Sequence, residues 1–238
     1  MYSKNYNVRY SETGENFNLT LPALMSYFQD TSVEHSEFSN NGAKKLAKNH
    51  LAWILTGWHV RIFRYPTLFE NVSAATWATD FKHVYGYRNF SLTDKDQNII
   101  AQAASVWVLY NYERMKFQKI TKQDALDFGT DKIPVFDDDT SYRLQMQPEY
   151  KKICSLQVQK GDIDSNGHVN NISYISYIVN AFADLSIFDL RIQYKSQARL
   201  NDKINISAAY DNDTIHVIMT SDNDDVYILA QIKTNFDK

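Results

Sequence analysis

The chain has 238 residues, 44% of them apolar and 14% aromatic, with a formal net charge of −3. That is enough to bury one large core or two of about 100 to 120 residues, and it excludes a disordered chain or a globally basic nucleic-acid binder. No apolar run approaches the roughly 18 to 20 residues that cross a bilayer, and Met1-Tyr-Ser-Lys-Asn-Tyr6 is no signal peptide, so a cytoplasmic protein without a membrane span is expected.

Residues 5–12 alternate as a strand does, and from Leu19 to Phe38 the pattern turns helical, with Leu24, Tyr27, Phe28 and Thr31 on one side. Residues 40–50 form a short extra segment bearing Lys44, Lys45 and Lys48, which by itself reads as a solvated charged face. Leu51 to Tyr112 is rich in β-branched and aromatic residues, in runs 51–65, 72–81, 85–93 and 99–112 separated by polar turns. Between the last two runs, Thr93-Asp-Lys-Asp-Gln-Asn98 has hairpin-turn chemistry. Residues 121–150, in which Lys132 to Thr140 holds a proline and an acidic run, read as a connection, with a few helical turns around Thr121 to Phe128. A strand at 153–159, a polar turn at 161–168 and a helix at 169–186 follow. Strands at 190–198, 203–210, 214–220 and 226–233 complete the chain, with Ser221-Asp-Asn-Asp-Asp225 as a hairpin turn. The single cysteine, Cys154, excludes an internal disulfide and a multi-cysteine metal site, and it reads as a structural thiol in a strand.

The second half repeats the first. Val60-Arg-Ile-Phe-Arg-Tyr65 matches Leu190-Arg-Ile-Gln-Tyr-Lys195 at a shift of 130, and Glu70-Asn-Val-Ser-Ala74 matches Asp202-Lys-Ile-Asn-Ile206 at 132. A nearly constant offset across separate strands indicates a duplicated unit, here one helix followed by a bent antiparallel sheet that buries the helix's apolar face. The fold class is therefore α+β, with residues 1–120 as one unit, 121–150 as linker and 151–238 as the second unit.

Gly161 to Tyr177 is the densest stretch. A turn carries Asp164, Asn166 and His168, with Gly167 free to take a conformation other residues resist. Ile172, Ile175, Val179, Phe182 and Leu185 behind it mark one apolar helix face. The free N–H groups of a helix N-terminus favour an oxyanion or a polarised carbonyl. Helix capping alone explains each of these polar residues singly, but not Asp, Asn and His at alternate positions followed by Asn170 and Asn171. The corresponding stretch of the first half, Gly14-Glu-Asn-Phe-Asn-Leu-Thr20, lacks the Asp and the His, so no twin of the turn and a single active site in the second half are expected. The six histidines form no His-x-x-x-His pair and the seven glycines no phosphate loop, so no metal or cofactor is expected.

The run Asp-x-Asn-x-His-Val-Asn-Asn-x-x-Tyr, Asp164 to Tyr174, resembles the active-site signature of acyl-acyl-carrier-protein thioesterases of the plant FatA/FatB type and their bacterial relatives. Trp53, Arg64 with Pro66, Glu70, Thr76 with Trp77, Gly86 with Arg88 and Phe90, Asp94 with Asp96, and Ser105 with Trp107 are similar to that family's landmarks, as is Gln29-Asp30 with His35 on the first helix. The resemblance implies a tandem, or double, hotdog forming a pseudo-dimer, and hydrolysis of fatty acyl-carrier-protein thioesters to free fatty acid. It implies roles for Asp164, Asn166 and His168, and the N–H groups of Val169 and Asn170 are the candidates for the oxyanion contact. Lys44, Lys45 and Lys48 would meet the acidic carrier protein. The family's fourth site residue, an acid on the following strand, is replaced here by Gln197, and Ala198 stands where some relatives have cysteine. Three explanations stay open: Asp164 or His168 acts as base while Gln197 positions water, activity is reduced or lost, or the alignment slips along the strand. Two further readings stand beside the first, an acyl-CoA thioesterase and a non-catalytic acyl-binding hotdog protein. Whether the chain forms a homodimer is open, since two fused units already supply the pairing of single hotdogs.

Overall fold

A computed structural model describes residues 1–39, 41–131, 133–136, 143–182 and 185–234. By compactness the chain divides into one unit of residues 1–56 with 61–140 and another of 57–60 with 141–238. In the first unit, β1 (Tyr2–Asn7) leads through a 3-10 turn at Tyr10–Glu12 into α1 (Leu21–Phe38), followed by α2 (Ala43–Lys48). Then come β2 (Leu51–Ile62), β3 (Asn71–Lys82), β4 (Tyr85–Thr93), β5 (Ile99–Asn111), the short β6 (Lys116–Phe117) and α3 (Lys122–Phe128). The sheet runs β1-β3-β4-β5-β2, and the β1–β3, β3–β4 and β4–β5 pairings are antiparallel. The second unit has β7 (Lys151–Gln157), a 3-10 turn at Lys160–Asp162, α4 (Asn171–Ala181), β8 (Ile187–Tyr194), β9 (Lys203–Asp211), β10 (Thr214–Thr220) and β11 (Val226–Thr234). Its order, β7-β9-β10-β11-β8, is antiparallel and repeats that of the first unit strand for strand.

Local chemistry sets the boundaries. Thr20 caps α1 by accepting the Ala23 N–H at 3.4 Å, with Pro22 in the first turn, where its missing N–H costs nothing. In the β4–β5 hairpin, Asp94 Oδ1 accepts the Asp96 and Asn98 N–H groups, each at 2.9 Å. The β10–β11 hairpin uses Ser221 Oγ in the same way for Asn223 and Asp225, each at 3.1 Å. Leu24, Met25 and Phe28 of α1 are fully buried, and Phe28 meets Phe90 of β4 at 5.2 Å between ring centroids. In the second unit Ile175 and Ile178 of α4 are equally buried, as are Leu190, Ile204, Ile206, Val217 and Ile228 of the sheet. Burying a side chain of this size contributes about 1.5–3 kcal/mol, so the apolar faces fasten each helix.

Three elements differ from expectation. The first strand lies at 2–7 rather than 5–12, because Glu12 takes the Arg9 N–H at 2.9 Å and closes the chain into a 3-10 turn. Helix α4 ends at Ala181 rather than near Ser186, with Phe182 donating to the carbonyls of Ile178 and Val179. Strand β8 ends at Tyr194, so Gln197 is not on a strand: the N–H groups of Lys195 and Ser196 both turn onto the Tyr227 carbonyl, at 2.8 and 3.3 Å, which breaks the ladder. Among the described residues, no helix is long and apolar enough to cross a membrane. The acidic run at 137–139 lies outside the described residues.

Candidate active site

The turn before α4 is built by its own side chains. Asp164 N–H donates to the His168 carbonyl at 2.8 Å and Gly167 N–H to the Asp164 carbonyl at 3.2 Å, while an isolated bridge joins Ile163 to Val169. Closing this loop puts Gly167 at φ +80°, in the left-handed region glycine enters at little cost. The Asp164 carboxylate fills the loop: Oδ1 accepts the N–H groups of Asn166 (2.8 Å) and His168 (3.2 Å), and Oδ2 accepts Asn166 Nδ2 at 3.3 Å. Asp164 and Asn166 are thus joined side chain to side chain, and His168 is tied to them through its backbone. His168 itself is half-buried, and its Nδ1 is a buried atom without a hydrogen-bond partner among the described residues. One step on, Asn170 Oδ1 accepts the Ile172 N–H at 2.9 Å and caps α4.

Two of the expected contacts are corrected by this geometry. Val169 N–H donates to the Ala198 carbonyl at 2.9 Å and Asn170 N–H to the Asp162 carbonyl at 2.8 Å, so neither is free to hold an oxyanion. The N–H left without an acceptor at this helix mouth, among the described residues, is that of Asn171. Gln197 is exposed and lies on the segment whose Ala198 carbonyl receives Val169, which ties that segment to the turn. Cys154 sits within β7, half-buried and opposite Ile206. Lys44, Lys45 and Lys48 are exposed on α2, and two of them fall in its last turn, where a cation suits the helix C-terminus. Among the described residues, no group of three or more His, Cys, Asp or Glu side chains could hold a metal ion.

The turn does have a backbone twin, contrary to expectation. At a shift of 150, Gly14 N–H donates to the Asn18 carbonyl (3.0 Å), Phe17 N–H to Gly14 (3.0 Å) and Thr20 N–H to Glu12 (2.9 Å), and Thr13 bridges Leu19. Leu19 N–H donates to the Pro66 carbonyl at 2.7 Å, as Val169 does to Ala198. What the first unit lacks is the side chains, because Gly14 and Asn18 stand where Asp164 and His168 stand in the second. Sequence comparison sees residue identities and so misses a loop kept without them.

His35 serves a different cluster, in the first unit. Its Nδ1 accepts from Arg88 Nη1 at 2.8 Å, and Arg88 also donates to Thr76 Oγ1 at 3.1 Å and lies over the Phe128 ring. Burial, reinforced by the Arg88 charge, lowers the His35 pKa to about 4, and burial lowers that of Arg88 to about 10. A neutral imidazole spent as acceptor for a buried guanidinium holds the core together. Sequence reading also passed over the clustered tyrosines of the second unit: Tyr194 Oη donates to the Asn171 carbonyl at 3.1 Å, and Tyr174 Oη accepts the Ala198 N–H at 2.9 Å.

Comparison with known proteins agrees across both units. The family model of the acyl-ACP thioesterase N-terminal domain matches residues 1–126, and that of the C-terminal domain matches residues 145–238. Similar curated proteins include a chloroplastic acyl-acyl-carrier-protein hydrolase of Cuphea viscosissima, 24% identical over 226 residues, which are 88% of this chain and 55% of that one. A chloroplastic oleoyl-acyl carrier protein thioesterase of Arabidopsis thaliana is 24% identical over 196 residues, 76% of this chain and 53% of that one. The chain spans about half the length of these relatives. Among solved structures, an acyl-ACP thioesterase from Bacteroides thetaiotaomicron superposes with a TM-score of 0.88 at 20% identity, over 98% of this chain and 97% of that one. The 12:0-ACP thioesterase from Umbellularia californica superposes at 0.84 with 18% identity, over 98% and 96%.

Proposed function

The chain belongs to the acyl-ACP thioesterase family, and from that premise we propose that it hydrolyses fatty acyl thioesters carried on acyl carrier protein, releasing free fatty acid and the carrier thiol. The observation that carries the reading is the set of Asp164, Asn166 and His168 on one rigid turn at the mouth of α4, in the unit whose counterpart keeps the turn without the set. Water adds to the thioester carbonyl carbon, the resulting oxyanion collapses, the C–S bond breaks, and the proton removed from water ends on the departing sulfur. His168 takes and returns that proton, histidine being the residue type suited to both near neutrality. Asn166 orients water or the carbonyl oxygen through its amide. Asp164, its carboxylate already holding three donors of the turn, fixes the geometry. The Asn171 N–H takes the oxyanion role expected of its two predecessors, and Gln197 positions water without accepting its proton.

Lys44, Lys45 and Lys48 would receive the acidic carrier. The two-unit fold is read as a double hotdog pseudo-dimer, divided at 1–120, 121–150 and 151–238. Recurrence of the strand order and of the turn's hydrogen bonds supports that division. A non-catalytic acyl-binding protein is the second reading, favoured by the exposed Gln197 standing in place of a carboxylate. Thiol release decides between them: wild-type protein frees thiol from acyl-carrier-protein thioesters, and Asp164→Ala or His168→Ala abolishes this. No release at any chain length defeats the hydrolase reading, and faster turnover of acyl-CoA moves the substrate to that thioester.

A further inference from the structure

We propose that Tyr174 is a positioning residue of this site: its phenolic oxygen accepts the Ala198 backbone N–H and so fixes the segment carrying Gln197 against the turn carrying His168. The inference rests on the hydrolase reading and adds to it the device that sets the fourth side chain in place. Ala198 is fully buried, and its backbone is held twice. Its carbonyl receives the Val169 N–H at 2.9 Å, next to His168, and its N–H is bound by Tyr174 of α4, also at 2.9 Å. The Ala198 N–H shares a rigid peptide plane with the Gln197 carbonyl. Holding that N–H therefore sets the direction in which Gln197 leaves the segment.

The other unit supplies an internal control. Pro66 occupies the place of Ala198 and Leu24 that of Tyr174. The carbonyl half of the clasp persists there, Leu19 N–H to Pro66 at 2.7 Å, so it belongs to the shared scaffold. The other half has neither donor nor acceptor, since proline has no N–H and leucine no oxygen. The hydroxyl clasp is thus present in the unit that carries Asp164 and His168 and missing from its twin. Tyr174 is 2% exposed, wedged edge-on against Tyr177 and Tyr194 with centroids 6.0 and 5.9 Å away. Burial pushes its pKa up to about 12, so the phenol stays neutral and serves as a hydrogen-bonding group rather than a base.

The test compares wild type, Tyr174→Phe and the double variant Tyr174→Leu with Ala198→Pro, which copies the other unit and leaves no buried N–H unpaired. Each is assayed for kcat and KM on an acyl-carrier-protein thioester, for melting temperature, and by NMR for hydrogen exchange at the Ala198 amide where that amide exists. Displacing a catalytic segment by about 1 Å costs up to about a hundredfold in rate. Tyr174→Phe should therefore lower kcat about tenfold or more with KM within about twofold, and the Ala198 amide should exchange faster while those of α4 do not. The double variant should melt near wild type and still turn over slowly, which a merely structural role does not predict. Wild-type kcat in the double variant overturns the proposal, as does a loss in Tyr174→Phe that follows the folded fraction alone. If wild type releases no thiol, the hydrolase reading fails by itself; the clasp is then judged by exchange, and an Ala198 amide as labile in wild type as in Tyr174→Phe sinks it.

Discussion

Acidification should destabilise the first unit through one histidine. His35 is 7% exposed and accepts a hydrogen bond from Arg88, which among the described residues donates to His35 and Thr76 and to no carboxylate. A proton on His35 would therefore set two cations in contact inside the core. Burial first, then Arg88, then the N-terminal ammonium hold its pKa at about 4 against 6.5 in the unfolded chain, and Asp131 opposes them weakly. Between those values the unfolded chain binds the extra proton and the folded chain does not, so stability rises with pH across the window and falls as pH drops from 6.5 towards 4. At about 1.4 kcal/mol per pH unit, full protonation costs at most about 3.5 kcal/mol, a large share of the 5–15 kcal/mol typical of a folded protein. The assay is urea denaturation at several pH values between 7 and 4.5 on wild type and His35→Gln, whose side-chain carbonyl can still accept from Arg88 without titrating. Subtracting the two curves removes the carboxylates common to both proteins. Wild type should lose about 2 kcal/mol more than the variant at the acid end, and parallel curves would refute the assignment of His35 as a neutral acceptor.

Gly167→Ala has nothing within 4 Å of the added methyl, so its cost is conformational, about 1 kcal/mol, and a chemical-denaturation loss above about 3 kcal/mol would mean the φ of +80° is wrong. Asp164→Ala leaves two backbone N–H groups of the turn without their acceptor and should destabilise by about 1–2 kcal/mol besides removing activity; unchanged stability would contradict the carboxylate's part in closing the turn. Gln197→Glu should raise kcat about tenfold by supplying a second proton acceptor, and a fall would place residue 197 outside the chemistry. Reversing Lys44, Lys45 and Lys48 to Glu should raise KM for carrier-protein thioesters at low salt and leave acyl-CoA unaffected. High salt should erase that difference, and equal effects on both substrates would remove α2 from carrier recognition.

Much of the scaffold could be read without coordinates. Strands β4 and β10 lie where their flanking turn residues put them, and the strand offsets near 130 gave the duplication. Phe182 and Leu185 continue the apolar period of α4 in the sequence, although the helix ends at Ala181 with Phe182 as its C-cap. The site was legible in its side chains and illegible in its donors. Asp164, Asn166 and His168 form a local pattern, but the fates of the Val169 and Asn170 N–H groups are decided by carbonyls contributed from elsewhere, Ala198 and Asp162. The Tyr174 clasp was hidden for the same reason, although setting Leu24 and Pro66 beside Tyr174 and Ala198 would have pointed to it.

Keeping one loop twice has a practical corollary. Asn16 already matches Asn166, and a Cβ at Gly14 would meet nothing nearer than a Thr20 methyl at 3.7 Å, so Gly14→Asp with Asn18→His is the substitution that would put the full set on the spare copy. Such a graft would ask whether a loop and three side chains suffice, or whether the neighbouring tyrosine has to come with them. The two copies of the loop differ in their side chains while sharing their backbone hydrogen bonds.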